Sequence, residues 1–432
     1  MNQSPSNQRD HAIVIGGSIA GLLAAGVLAK HYTKVSLIDA DKFSDSEAPR
    51  KGVPQGNHAH GILRNGWEQM KSVFPNLEER VSAAGALWLD VGMDLKWHYF
   101  GVKRATFESA GKTPFIGRPI LENLIFKEVE GLSNVECLPS TFVEAYVGNT
   151  EVVRGVKLRD GDEMLANLVV DASGRGSRTP KWLQKLGCDE PETLSIPANV
   201  SYATCEFTPP TRDFDWRVLY ITPQPPHGGS GVVFPRGDGS WLVTLTGRNL
   251  KQQPRTNDEF VEYAKSLAND EIHEALKGAD PLCEIRNYRF SKSLRRLYEK
   301  VEMPAGLIVV GDAVCSFNPV FGQGMTVCAM EAVHLGEVLS TNSGDDWQQS
   351  FQKEITQYID VAWEMVEVED LRYADVHELR SLKVKVMQAF TAAVCRKSAK
   401  DTYLSRLFDE IVHFETPPTA LLRLKVLLKL CR

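Results

Sequence analysis

The residues with the clearest chemical potential form the run Gly16-Gly17-Ser18-Ile19-Ala20-Gly21. It sits between the apolar stretch Ala12–Ile15 and the small, apolar stretch Leu22–Ala29. Gly16 permits a tight turn out of a buried strand, and Gly21 lets the following helix pack closely on that strand. The helix start, with Gly17, Ser18 and Ala20, offers unpaired N–H groups and a positive dipole end, which suit a pyrophosphate. Val35–Ile38 reads as a second strand. Asp39 closes it roughly 20 residues beyond the glycines, where a carboxylate accepts hydrogen bonds from a ribose. Ser18 stands where G-x-G-x-x-G has its middle glycine. The plainer reading is a glycine-rich turn without a ligand, but strand, helix and acid in this order favour a dinucleotide site.

Four further stretches carry chemistry. Arg50-Lys51-Gly52-Val53-Pro54-Gln55-Gly56-Asn57-His58-Ala59-His60-Gly61 is a loop crowded with donors. His58 and His60 have no third ligand nearby, so the expectation is two solvated or site-facing histidines and no metal. Arg118-Pro119 opens a helix, with Glu122 early in it, and Arg118 is placed to meet a phosphate or to cap a neighbour. Asp171-Ala172-Ser173-Gly174-Arg175-Gly176-Ser177-Arg178 follows the apolar run Leu168–Val170. Gly311-Asp312-Ala313, then Pro319 and Gly322-Gln323-Gly324-Met325, follow the buried run Leu307–Val310 and lead into a helix over 326–339. The last motif repeats the physics of the first, a strand end, a turn and a helix N-terminus.

The elements that must position these residues imply a large chain with more than one structural unit. With 432 residues and a formal charge of −6, it has no net basic field to recruit nucleic acid. Its eight cysteines form no C-x-x-C pair, which speaks against zinc and iron–sulfur sites and for free thiols in a reducing cytoplasm. The polar start has no apolar signal region, and no stretch is long and apolar enough to span a membrane. Strand-like runs continue at Val135–Leu138, Phe142–Val147 and Val152–Leu158. Alternating, turn-broken runs over 198–250 predict antiparallel β, and helices are expected at Asn257–Leu267 and Glu271–Leu276. From 346 onward the pattern is almost wholly helical. The last segment, Ala420–Arg432, reads as a helix with a Leu/Val face and a basic face of Lys425, Lys429 and Arg432. Packing on the chain's own helices is its simpler role, and peripheral membrane contact the alternative.

Taken together, GGSIAG, DASGRGSR and GDA…P..GQG resemble the FAD-dependent monooxygenases of the para-hydroxybenzoate hydroxylase fold over roughly residues 10 to 345. RKGVPQGNHAHG, DASGRGSRTPKWL and GDAVCSFNPVFGQGM further resemble the polyether epoxidase branch, which is similar to squalene epoxidase. The resemblance implies an α/β (α+β overall) chain, with a Rossmann-like FAD-binding domain over 1–80, 116–190 and 300–345. It implies an inserted, mostly antiparallel substrate-binding sheet over 81–115 and 191–299, and a C-terminal helical region over 346–432. Gly16, Gly17, Ser18, Ala20, Gly21 and Asp39 would hold the ADP part of FAD, with Arg50 beside them. Arg118 would contact the phosphates or ribityl chain and Asp312 the ribityl group. Gly311, Pro319, Gly322, Gln323, Gly324 and Met325 would flank the ring system. Asp171 and Gly174 match a motif tied to FAD and pyridine-nucleotide handling. The usual D-G pair is Asp171-Ala172 here.

The implied reaction delivers one oxygen atom from O2, through a flavin C4a-hydroperoxide, to an apolar substrate. Epoxidation of an alkene or polyene natural-product intermediate leads, and hydroxylation of an aromatic ring is its close rival. His58 and His60 are the candidates beside the flavin ring. NADPH or NADH would be the reductant, directly or through a partner flavin reductase. No W-x-W-x-I-P motif is present, which speaks against a halogenase. A prenyl-chain reductase and a flavin-binding protein without turnover are the remaining alternatives.

Overall fold

The computed structural model describes residues 9–43, 50, 52, 54–225, 228–341, 344, 346–373 and 375–431. Lys51, Val53 and Arg432, and the side chain of Gln55, lie outside the described residues.

Short apolar runs with no polar alternation are expected in a sheet covered on both faces, and they form one. Strands Leu307–Val309, Leu168–Asp171, His11–Ile15, Lys34–Ile38 and Val135–Leu138 lie in that order, all parallel. The middle residues of the first four are fully buried, whereas those of the edge strand Val135–Leu138 are not. Helix Ile19–Leu28, almost entirely buried, packs on helix Gly324–Ser340 on one face. Register aligns Ile15 with both Ile38 and Asp171, and Asp171 with Val309. All three glycine-containing turns therefore leave the sheet along one edge.

A nine-stranded sheet forms the second layer, built on the long strands Thr193–Thr208 and Arg286–Arg296, which pair antiparallel over most of their length. Strands Trp241–Arg248, Ser230–Pro235 and Val218–Ile221 continue it by antiparallel pairing. The antiparallel reading of 198–250 holds for the pairings within it, and one parallel pairing reaches outside it. Val218–Ile221 pairs parallel with Leu95–Tyr99, which brings Trp97 and Tyr99 into this sheet. The sequence reading also missed Arg286–Arg296, because its five basic residues mask the alternation. The apolar contacts are carried by Phe290 and Leu294 and by the stems of long side chains. Leu87–Leu89 and Thr113–Phe115 form a separate two-stranded ribbon.

The C-terminal region is helical, as the pattern predicts. Its final segment is not one helix, however. A 3-10 turn at Pro418–Leu422 gives way at Arg423 to helix Leu424–Leu430. Ala420, Leu421 and Val426 are buried against helices Leu382–Ser398 and Thr402–Val412, while Leu422, Leu424 and Leu428 are exposed. No helix among the described residues is long and apolar enough to cross a membrane.

Candidate functional site: a polar cleft joined to an apolar cavity

The aligned strand ends open onto a cleft of about 710 Å³. Gly16, Gly17, Ser18, Ala20, Asp39, Arg50, His60, Arg118, Gly174, Asp312, Pro319, Gly322, Gln323, Gly324 and Met325 all line it. Residues more than 300 positions apart are thus brought to one surface. Gly16 takes φ of +105°, a conformation that disfavours side chains. A Cβ on Gly21 would collide with the Gly16 carbonyl oxygen, so Gly21 sets the strand–helix approach from behind the cleft.

A cage of charges fixes the first turn. Gly17 N–H donates to Asp39 at 2.5 Å, and Ser18 Oγ donates to Glu122 at 2.7 Å. Arg50 bridges the two acids, 3.1 Å from Asp39 and 2.7 Å from Glu122, and donates to the Gly17 carbonyl at 2.9 Å. Much of Asp39's capacity is therefore used within the protein. Arg118 differs, with only long contacts, 3.4 Å to His60 Nε2 and 3.5 Å to Ser18 Oγ. Its Nε is buried with no partner among the described residues. An orphaned guanidinium donor at a helix start is what an anion would complete. Asp312 has one long contact, 3.4 Å from Ser316 Oγ, so it retains capacity to accept from a hydroxyl. Desolvation raises its carboxyl above the ordinary range, and Arg118 offsets part of that rise. The residues present fit a dinucleotide with a flavin end.

Besides Gly21, three predicted residues sit outside the cleft lining. The Asp171 carboxylate faces away from the cleft and accepts from Ser173 N–H, Ser177 Oγ and Thr179 Oγ1 at 2.5 to 2.9 Å, organising the start of helix Thr179–Leu186. Gly311 packs behind the cleft against Ala20, and its N–H donates to the buried Glu331 at 2.7 Å. His58 points into the nine-stranded sheet, its Nδ1 2.7 Å from Thr204 Oγ1. The sequence reading missed Glu122 and Glu331, which hold the first and last turns, and gave no role to Arg175, which lines the cleft. Glu331 left a usable signal, an acid flanked by apolar residues within the helix sequence Met325–Leu335. Burial pushes its carboxyl up to about 8.

Next to the cleft lies an apolar cavity of about 290 Å³ that shares His60, Pro319, Gly322 and Gln323 with it. Trp97, Tyr220 and Phe408 form an aromatic wall, with ring centroids 5.8 to 6.0 Å apart around Trp97. The Trp97 indole N–H is satisfied by Thr222 at 2.5 Å. Among the described residues no arginine lines the cavity, and the one lysine, Lys383, is paired with Glu364 at 2.6 Å. His60 thus stands between cleft and cavity, whereas His58 lines neither.

Burial lowers three histidines, to about 4 for His58, about 3 for His60 (with Arg118 adding to the effect) and about 4 for His413. Their unfolded value is near 6.5, so between pH 6.5 and about 4 the unfolded chain binds more protons than the native one. The histidines' share of stability is therefore full above pH 6.5 and lost as pH drops towards 4, while the raised carboxyls of Glu331, at about 8, and Asp370, at about 7, contribute in the opposite direction over the same range. Side-chain NMR titration of the native protein checks this, with the rings of His58, His60 and His413 expected to stay neutral down to about pH 5. Titration of these three rings near 6.5 would contradict it.

No family model matches the chain. Protein Rv3254 of Mycobacterium tuberculosis is 34% identical over 354 residues, covering 78% of this chain and 74% of that protein. Kynurenine 3-monooxygenase of Candida albicans is 24% identical over 351 residues, covering 77% of this chain and 73% of that enzyme. Among solved structures, the flavin-dependent brominase Bmp2 superposes with a TM-score of 0.67 at 15% identity over 93% of each chain. The fold is that of the flavin-dependent monooxygenases and halogenases.

Proposed function

The chain belongs to the family of protein Rv3254, and from that premise we propose that it is an FAD-dependent monooxygenase acting on an uncharged, largely apolar small molecule. The observation that carries this reading is the shared wall of His60, Pro319, Gly322 and Gln323 between the polar cleft and the apolar cavity. When bound, FAD supplies the electrons that activate O2 and allow transfer of one oxygen atom.

The chain's own residues bind, orient and exclude. The N–H groups at the start of helix Ile19–Leu28, together with Arg118, would hold the pyrophosphate, and Asp39 the ribose. Asp312 would accept from a ribityl hydroxyl. The N-terminal N–H groups of helix Gly324–Ser340 would face the electron-rich end of the ring. Trp97, Tyr220 and Phe408 would keep water from the reacting atoms. The absence of an arginine and the pairing of Lys383 leave no counter-ion for a carboxylate substrate.

Epoxidation of an alkene is the favoured reaction. It needs no base to activate the substrate, and the only titratable residue shared by cleft and cavity, His60, is held neutral by burial. Aromatic hydroxylation is the second reading, supported by the likeness to kynurenine 3-monooxygenase. NADPH or NADH is the proposed reductant, directly or through a reductase. The test is oxygen consumption by the FAD-loaded protein with NADPH and panels of terpenoid alkenes and of phenols. Consumption stimulated by alkenes with epoxide formed supports the reading. Stimulation by phenols alone moves it to hydroxylation. Saturation of the alkene without oxygen uptake overturns it in favour of a reductase.

A further inference from the structure

The apolar cavity contains one histidine outside the cofactor wall, His413, and its hydrogen bonds define its protonation state. His413 follows helix Thr402–Val412 and caps the start of helix Arg64–Val73. The backbone N–H of Arg64 donates to His413 Nδ1 at 2.9 Å, and that of Asn65 reaches the His413 carbonyl at 3.4 Å. A ring nitrogen that accepts from a backbone N–H carries no proton, so the proton of the neutral ring is on Nε2. Burial, the positive end of the helix and the nearby Arg64 and Arg104 oppose a second proton, against the pull of Asp409.

That Nε2–H has no acceptor within hydrogen-bond range among the described residues. Its nearest carboxylate oxygen, Asp409 Oδ1, is 3.9 Å away and is already taken by Arg104, while Arg64 takes Oδ2 at 2.6 Å. The His413 residue is only 6% exposed and it lines the cavity. Thr113, which is 1% exposed and lines the same cavity, also has a hydroxyl with no partner among the described residues. An unpaired donor facing a mostly apolar cavity costs free energy unless a ligand or water completes it. Such a site rejects ligands that lack the matching acceptor.

We propose that His413 Nε2–H is a specificity-determining donor, and that the substrate carries a carbonyl, hydroxyl or ether oxygen to meet it. This rests on the reading of the apolar cavity as the substrate chamber. The unsaturated natural-product intermediate inferred above would then be an oxygenated one and not a pure hydrocarbon.

The test uses FAD-loaded protein without reductant and two probes of matched shape, acetylnaphthalene and isopropenylnaphthalene, titrated against tryptophan fluorescence. The wild type is expected to bind the ketone about tenfold more tightly than the alkene. His413→Phe is expected to lose that preference while its alkene affinity stays within about twofold. Equal binding of both probes by the wild type overturns the anchor but leaves the chamber standing. Binding of neither overturns the chamber reading itself. Should His413→Phe fail to fold, NMR of the wild type labelled with nitrogen isotope in histidine decides the matter. A shift of the His413 Nε2–H signal with the ketone and not with the alkene supports the proposal, and no difference overturns it.

Discussion

Arg118→Ala is expected to give a folded protein that no longer retains its flavin. Arg118 makes only two contacts near the limit of hydrogen bonding, so its removal takes little from the fold. Its buried Nε, by contrast, has no partner among the described residues, and the side chain lines the cleft where the phosphates would lie. Loss of charge-assisted hydrogen bonds to a phosphate should weaken FAD binding by roughly 100-fold. Titrating the apoprotein with FAD by fluorescence, alongside melts of both apoproteins, separates the two effects. Unchanged FAD affinity would remove Arg118 from the site.

The second large effect concerns the C-terminal region. Asp409 is fully buried and holds Arg64, from the first helix after the histidine loop, and Arg104, from the segment after strand Val102–Lys103. Arg64 is further paired with Glu415 at 2.7 Å. Asp409→Ala would leave two guanidinium groups without their shared carboxylate, in a site that water reaches poorly. Breaking a buried pair from one side costs about 3–5 kcal/mol. A lower melting temperature, with earlier proteolysis after residue 400, is the expected result. Because Asp409 also lines the apolar cavity, substrate-induced quenching should weaken in parallel. A melting temperature within a degree or so of wild type would mean the cluster is dispensable.

What the sequence disclosed depended on how local the information was. The turn at Gly16–Gly21 was readable because strand, turn and helix lie within one short window, and backbone geometry dictates each residue type. The cleft-lining positions in Gly322–Met325 were readable for the same reason. Arg118 was ambiguous alone, since only its distance to Ser18 and His60 distinguishes it from a structural arginine. Asp171 and His58 were misread in location. Both sit beside motif glycines, yet Ser177, Thr179 and Thr204, supplied by the tertiary fold, capture their polar atoms. Strand Arg286–Arg296 was missed because its five basic residues hide the alternation, and its buried positions mix Phe290 with Ser293, Arg295 and Arg296. The cavity wall from Trp97, Tyr220, Phe408 and His413 joins residues over 300 positions apart, and no periodicity in the chain reports such a meeting.

The central claim is that cleft and cavity together transfer one atom of O2 to an uncharged substrate. Its most direct test is turnover under isotope-labelled oxygen gas, with FAD-loaded protein, NADPH and a flavin reductase, and an oxygenated terpenoid alkene as substrate. The account predicts a product carrying one labelled oxygen atom, as an epoxide. Product without label, or oxygen reduced wholly to peroxide with the alkene intact, would contradict it.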